Sequence, residues 1–131
     1  MAAKTANAAN TQILNKESIL ALQDIVTEIV EVPEWGGSVK VRGLTAAERD
    51  AFEGEVVQRK GNDVKTNTRN MRARMVVMSV VNEDGSRMFS YHDIEPLGEK
   101  SARAIDRIFS VAMRLSGLGE KDVAELTEDF E

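Results

Sequence analysis

The stretch that decides the fold reads EVPEWGGSVKVRGLTAAERDAF and spans residues 31–52. Just before Pro33 the chain alternates as VTEIVEV, and after the two glycines it alternates again as VKVR. A period of two with many β-branched residues is typical of β-strands. Pro33 cannot donate to a strand ladder, and adjacent glycines allow the positive φ of a tight turn. We therefore predict a β-hairpin over about residues 26–44.

Charges are placed to pair across this hairpin. The acidic candidates are Glu28 and Glu31, and the basic candidates are Lys40 and Arg42. Facing opposite charges stabilise a strand pair, but an exposed pair contributes less than ~1 kcal/mol. The pattern predicts such a pair as a minor contribution to the hairpin.

Trp35, the only tryptophan of the chain, falls at the turn of the hairpin. A tryptophan at this place can fold back as a lid over its own strands. It can also protrude as an anchor for a partner, since tryptophan is enriched in interface hot spots. The sequence leaves both roles open, and Trp35 is a candidate partner-binding residue.

The same stretch also starts a helix. Thr45-Ala46-Ala47-Glu48 is a capping box, in which the Thr45 hydroxyl and the Glu48 carboxylate each satisfy a free amide. We predict a helix over residues 46–60, stopped by Gly61, and a polar, flexible connection (GNDVKTNT) after it. A second helix is predicted over residues 69–82 from methionines at helical spacing. The run VVMSVV also allows a strand that EDGS would turn into a hairpin, although the preceding helix formers favour helix.

The remaining elements are predicted to be helical. Apolar spacing and glycine stops predict helices over residues 91–97, 99–116 and 120–130. The last is amphipathic and carries three further candidate partner-binding residues, Val123, Leu126 and Phe130. Residues 1–15 are small and polar, which predicts a flexible arm. Ile19, Leu20 and Leu22 follow it in one or two helical turns that we expect to cover an edge of the domain.

These elements give an α+β fold, in which an N-terminal β-hairpin is followed by a mainly α-helical bundle. At 131 residues the chain is the size of one domain, which we place at residues 16–131. The net charge of -5 gives no general attraction to nucleic acid or to an anionic membrane. The N-terminus lacks the apolar region of a signal peptide, and no stretch reaches the ~18 apolar residues of a membrane span.

The sequence offers little for catalysis. There is no cysteine, which excludes disulfides, thiol nucleophiles and thiolate metal sites, and His92 is the only histidine. No glycine motif that cradles phosphate is present. The C-terminal carboxylates and the cluster Arg69, Arg72 and Arg74 are more typical of solvated faces than of sites. We therefore predict no catalytic residue, no metal and no cofactor, and a protein that is not an enzyme.

The order of three segments carries a resemblance to a known family. The segments are VEVPEWGGSVKVRGLTAAERDAFE, ARMVVMSVVNEDGSRMFS and DIEPLGEKSARAIDRIFSVAMRLSGLGEKDVAEL. Together they resemble the small tail assembly chaperones of long-tailed bacteriophages and prophages, over nearly the whole chain after about residue 14. The P-E-W-G-G hairpin tip followed by V-x-V-R-x-L-T is the most specific part.

The resemblance implies a non-enzymatic helper that coats the tape measure protein before tail tube subunits polymerise around it. It further implies a short form, related to a frameshifted longer form whose extra domain recruits the tail tube protein. We expect the chain in the host bacterial cytoplasm and not in the mature virion, with a homo-oligomer as one option.

Three alternatives stay open. The first is a structural head-tail or tail-completion component of the virion, and the second is a small enzyme that uses its carboxylates. The third concerns residues 120–130, which can bind a partner or dock on their own domain.

Overall fold

The computed structural model of the chain describes residues 12–66 and 68–119. Most of the predicted flexible arm and all of the predicted helix over residues 120–130 therefore lie outside the described residues. The described part contains five α-helices and five strands, with short 3-10 turns at two places. In chain order they are α1 Lys16–Leu20, β1 Thr27–Val32, β2 Gly37–Arg42, α2 Ala46–Val56, β3 Val57–Lys60, β4 Asp63–Thr66, α3 Met71–Ser79, β5 Val80–Val81, α4 Ile94–Gly98 and α5 Ala102–Leu115.

The first hairpin confirms the predicted α+β fold. β1 and β2 pair antiparallel, with Val30 opposite Val39, and β5 adds a third strand on the far side of β2. The turn is a single 3-10 turn, Pro33–Trp35, closed by Gly36 at a φ of 71°. That left-handed conformation is accessible to glycine at low cost, which explains the glycine at this position.

The predicted cross-strand charge pair is wrong. Glu28 faces Val41 across the hairpin and Glu31 faces Ser38. Glu28 instead accepts two hydrogen bonds of 2.9 Å from Arg114 on α5. Glu28 therefore connects the hairpin to α5 and does not connect the two strands to each other.

A second hairpin replaces the end of the first predicted helix and the predicted flexible connection. α2 ends at Val56, and Val57 already has extended backbone angles. β3 and β4 then pair antiparallel from Val57 opposite Thr66 to Lys60 opposite Asp63, with Gly61 at a φ of 59° in the two-residue turn. Two strands separated by Gly-Asn form a hairpin, so the glycine interpreted as a helix stop is a turn residue.

The second predicted helix is divided between a helix and a strand. α3 ends at Ser79, and the next two residues form β5. Val80 pairs with Val41, and Val81 pairs with Lys40. These two valines therefore form a strand on the edge of β2 and are not part of the helix. Val81 also bridges to Arg87 after the turn at Gly85. The strand alternative for VVMSVV is therefore correct for its last two residues only.

The C-terminal helices start later than predicted. A 3-10 turn at Tyr91–Asp93 leads directly into α4, and α5 begins at Ala102. The Ser101 hydroxyl caps α5 by accepting a hydrogen bond of 3.2 Å from the Ala104 amide. A serine in this role ends the preceding turn and sets the start of the helix.

α3 and α5 pack against each other, and α5 also packs on β1 and β2. In α3, six of the nine residues are buried. The core is mainly aliphatic, in keeping with an aromatic content of 5%. Its fully buried larger side chains are Val32, Val41, Phe52, Val56, Met75, Val76, Val80, Val81, Ile108 and Leu118.

The capping box at the start of α2 is confirmed and extended by two arginines. The Glu48 carboxylate accepts the Thr45 amide at 2.9 Å and a bidentate pair of hydrogen bonds from Arg42 at 3.0 and 2.6 Å. Arg87, which follows the turn after β5, donates to the same carboxylate at 3.1 Å. One side chain thereby joins the end of β2, the start of α2 and the chain after β5.

Candidate partner-binding surfaces

A segment at residues 13–26, here named the apolar arm, exposes seven large aliphatic side chains. α1 lies within it and has a complete capping box, in which Asn15 and Ser18 exchange side chain to backbone hydrogen bonds of 2.9 and 3.1 Å. Even so, none of its residues is buried. The exposed side chains are Ile13, Leu14, Ile19, Leu20, Leu22, Ile25 and Val26.

The prediction that Ile19, Leu20 and Leu22 cover an edge of the domain is wrong. These side chains are 51%, 74% and 55% exposed, so they cover little of the domain. A contiguous apolar surface of more than a few hundred Å² is rare on a monomer and marks an interaction site. Exposure depends on what the rest of the chain packs against, so the sequence identified these residues as apolar but could not show that they are exposed.

The outer face of the sheet continues the apolar arm. Ile29 in β1 points away from the core and is 64% exposed, and Met88 is 42% exposed. Both line a groove of about 570 Å³ together with Val39 and Val81. The polar residues Ser38, Lys40, Asn82 and Glu83 line the same groove, so its surface is mixed.

The hairpin tip is fastened to α5. Glu34 accepts hydrogen bonds of 2.8 and 3.0 Å from the Arg107 guanidinium. The hydrogen bond from Arg107 lowers the pKa of the Glu34 carboxyl below its ordinary value. Trp35, next to it, is 38% exposed. A side chain with this partial exposure suits either role predicted for Trp35, and its partner-binding role stays a prediction.

A second groove, here named the α5 groove, lies along α5 and has a volume of about 760 Å³. Its floor contains the buried side chains of Phe109, Met113 and Leu118. Arg72 lies on its wall, paired with Asp106 at 2.7 Å and with its guanidinium carbon 5.3 Å from the centre of the Phe109 ring. The other lining residues are Ser110, Arg114, Gly117 and Gly119. The α5 groove thus combines an apolar floor with a rim on which Arg72 and Arg114 are paired with Asp106 and Glu28.

The arginine cluster is dispersed in the structure. Arg69 pairs with Glu95, Arg72 with Asp106, and Arg74 with Glu55. Each guanidinium therefore faces a carboxylate, and a continuous basic surface for phosphate is not formed by these three residues.

The described ranges contain no group of three or more histidine, aspartate or glutamate side chains arranged to hold a metal ion. His92 is exposed in the 3-10 turn before α4, where its ring meets Tyr91 edge-on at a centroid distance of 6.4 Å. In the part of the chain that the structure describes, no helix has the length and apolar character needed to cross a membrane. Val123, Leu126 and Phe130 lie outside the described residues.

Comparison with known proteins decides the family. A family model described as phage tail assembly chaperone matches residues 15–129. The chain belongs to the phage tail assembly chaperone family. The match begins at Asn15, the N-cap of α1. It therefore includes all of the apolar arm of this tail assembly chaperone except Ile13 and Leu14. The family resemblance of the three sequence segments is thereby confirmed.

A solved structure shows the same fold. The structure of the bacteriophage HK97 tail assembly chaperone superposes with a TM-score of 0.56, covering 80% of this chain and 95% of that one, at 17% sequence identity. A comparison with curated protein sequences finds no significant match. Membership of the family supports a non-enzymatic chaperone role in phage tail assembly.

Proposed function

We propose that this tail assembly chaperone binds and coats the tape measure protein during tail morphogenesis in the host bacterial cytoplasm, without catalytic activity, and is absent from the mature virion. Family membership supports the chaperone role. The observation that supports a bound client is the apolar arm, whose seven aliphatic side chains are not covered by the described domain.

The apolar arm has the properties that an elongated apolar client requires. Burying an aliphatic side chain contributes about 1.5–3 kcal/mol, and several of the seven have to be buried together to offset the entropy cost of association. The arm carries only Lys16, Glu17 and Asp24 as charges, which leaves it close to neutral within an acidic chain. A client with one apolar face can therefore bind the apolar arm without strong electrostatic repulsion.

The first test is co-expression with the tape measure protein, followed by affinity pull-down and size-exclusion chromatography with light scattering. We expect a soluble complex that contains many copies of this chain per client. If the tape measure protein stays soluble alone and no complex forms, the proposal is wrong. Light scattering of the free chain also gives its oligomeric state.

Substitution of the apolar arm is expected to weaken client binding. The double variant Ile19→Ser, Leu20→Ser removes two exposed apolar side chains and should raise the Kd at least about tenfold, equivalent to about 1.4 kcal/mol. Its melting temperature should remain that of the parent, since neither side chain is buried. Gln23→Ser is the matched control in the same segment and should bind normally. Unchanged binding of the double variant would remove the apolar arm from the interface.

Trp35 is proposed as a second contact, at the tip of the first hairpin. Trp35→Ala should weaken client binding about tenfold, because truncation of an aromatic anchor is costly in an interface. Circular dichroism should show an intact fold, since Glu34 and Gly36 still define the turn. A folded variant that binds as the parent does would leave Trp35 as a lid only.

A virion component is distinguished from a chaperone by its fate. Mass spectrometry of purified virions should find this chain absent or in trace amounts. Stoichiometric copies in the particle would overturn the chaperone reading in favour of a head-tail or tail-completion role. A longer form that recruits the tail tube protein would appear in the same expression experiments as a second band recognised by an antibody to this chain.

A further inference from the structure

The outer edge of β1 is open to a further strand. β1 pairs with β2 on one side, and in the part of the chain that the structure describes no strand pairs with its other side. The direction of the backbone groups of β1 follows from the residue before it, because the Val26 carbonyl accepts a hydrogen bond of 2.9 Å from the Gly43 amide. Hydrogen-bonded and non-hydrogen-bonded pairs alternate along antiparallel strands, so the even-numbered residues of β1 bond to β2. Thr27, Ile29 and Glu31 therefore direct their amides and carbonyls to the open edge.

This edge lacks the features that commonly keep edge strands apart, which are proline, lysine and a bulge. β1 contains neither proline nor lysine, and its register with β2 is continuous. Its middle outward-facing residue is Ile29, whose side chain is 64% exposed. Glu28 carries the charge on the opposite face, but Arg114 of α5 already pairs with it at 2.9 Å. An apolar edge of this kind favours pairing with another strand.

The sequence of β1 is complementary to itself about Ile29. When two β1 strands pair antiparallel with a two-fold axis at this residue, Ile29 lies opposite its own copy and Thr27 lies opposite Glu31 of the second copy. All three outward-facing residues are then hydrogen-bonded, and two bonds per pair give about six in total. The two Ile29 side chains also meet on the outer face of the sheet, which removes apolar surface from water.

Other two-fold registers are less favourable. An axis at Glu28 or at Glu31 brings two identical carboxylates opposite each other, and like charges in that position destabilise a strand pair. An axis at Val30 places Thr27 opposite Pro33, which has no amide hydrogen to donate. An axis at Thr27 places Glu31 opposite a residue outside β1. The first register is therefore the one that suits a second copy of the same strand.

We propose that two copies of the chain pair antiparallel through β1, with the two-fold axis at Ile29, and join their sheets into one sheet of six strands. The contact is isologous, so it closes on a dimer and does not build a filament. The pairing ends at Thr27, which leaves the preceding apolar arm outside the paired strands. The dimer forms without the tape measure protein, so its formation does not rest on the proposed function.

Sedimentation velocity of the full-length protein, without a client, tests the dimer. We expect a reversible monomer–dimer equilibrium over a concentration series from the micromolar to the millimolar range. A chain that stays monomeric throughout this series would overturn the proposal.

Thr27→Pro removes a hydrogen-bond donor that only the dimer uses. Proline is tolerated at the first residue of an edge strand when its nitrogen faces away from the neighbouring strand. The variant should therefore keep the circular dichroism spectrum of the parent. Its dimer Kd should rise at least about tenfold, because two symmetry-related hydrogen bonds are lost. Thr27→Ala keeps the amide hydrogen and is the matched control, which should dimerise as the parent does.

Ile29→Lys tests the centre of the contact. Two lysines opposite each other at the axis should raise the dimer Kd at least about tenfold, because like charges repel and apolar burial is lost. Met88→Lys is the matched control. Met88 is also exposed, and its amide donates to the Val80 carbonyl of β5, on the side of the sheet away from the open edge. This control should leave the dimer Kd unchanged.

Disulfide formation determines the register. The chain has no cysteine, so each substitution introduces a single thiol. Two copies of Ile29→Cys would have their Cα atoms about 5.5 Å apart, a separation suited to a disulfide. Two copies of Glu31→Cys would have theirs about 14 Å apart, since the two positions are offset by four residues. Diamide should therefore crosslink Ile29→Cys into a covalent dimer much faster than Glu31→Cys.

Three further results would overturn the proposal. Faster crosslinking of Glu31→Cys than of Ile29→Cys would contradict the register. Oligomers that persist unchanged in both Thr27→Pro and Ile29→Lys would place self-association on another surface. A parent chain that is monomeric at every concentration, and that loses tape measure binding in Thr27→Pro, would assign the open edge to the client instead.

Discussion

Replacing Gly43 by alanine is expected to destabilise the protein by about 3 kcal/mol. A Cβ atom at this position would lie 2.5 Å from the carbonyl oxygen of Leu115 and 3.0 Å from its carbonyl carbon. Both are backbone atoms at the end of α5. The Leu44 amide, one residue on, is also held at 2.9 Å by the Ser116 hydroxyl. Relief of the clash therefore requires the β2–α2 connection and the end of α5 to move apart.

Gly54→Ala is the matched control for this prediction. Gly54 lies within α2, is exposed, and a Cβ atom there would have no neighbour within 4 Å. The same chemical change should stabilise the protein by about 0.5–1 kcal/mol, because alanine loses less backbone entropy in a helix than glycine. Urea denaturation of both variants measures whether the free energy of unfolding falls in Gly43→Ala and rises in Gly54→Ala. A Gly43→Ala variant as stable as the parent would show that the contact with Leu115 is looser than the structure has it.

Replacing Glu48 by glutamine is expected to cost about 2 kcal/mol at neutral pH. Partial burial raises the pKa of this carboxyl, but the hydrogen bonds from Arg42, the Thr45 amide and Arg87 outweigh burial and lower it from 4.5 to about 2. That lowering sets an upper bound of about 3 kcal/mol on the stabilisation by the charged form. Partial exposure of the side chain reduces it to the smaller figure.

The effect of Glu48→Gln should depend on pH in one direction. Because the pKa is depressed in the folded state, the contribution is fully present above about pH 4.5 and is lost as the pH falls towards about 2. Urea denaturation at pH 7 and at pH 3 should therefore show a smaller difference between parent and variant at pH 3.

Glu53→Gln serves as the control for Glu48→Gln. Its partner Arg49 is four residues earlier on the same helix, and the shortest distance between the charged groups is 3.5 Å. Such an exposed pair contributes less than about 0.5 kcal/mol. An equal loss of stability in the two variants would argue against a special role for Glu48.

The first hairpin and the start of α2 could be predicted from the sequence because their signals are local. The alternation around Pro33, the glycines of the turn and the Thr45–Glu48 capping box act over a few residues, and all are present in the structure. The arginines that complete the Glu48 cluster show the limit of this reasoning. Arg87 lies 39 residues away, and only the pairing of β5 with β2 brings it close.

The wrong secondary-structure predictions come from sequence patterns that suit two different structures. Gly61 suits a helix stop and a hairpin turn equally, and the pairing of the strands on both sides of it decides for the hairpin. The valines at the end of α3 suit either helix or strand, and the free edge of β2 decides where the helix ends. The apolar arm was the least predictable surface, since aliphatic residues next to a sheet are normally taken to be buried.

The apolar arm has a consequence for the free protein as well as for the bound one. Aliphatic side chains left in water make a chain prone to precipitate, and here only a modest negative charge opposes this tendency. The concentration at which the protein can be stored without its client should therefore be low, and it should fall further in ammonium sulfate. Synthesis in step with the client would keep the unbound pool below that solubility limit.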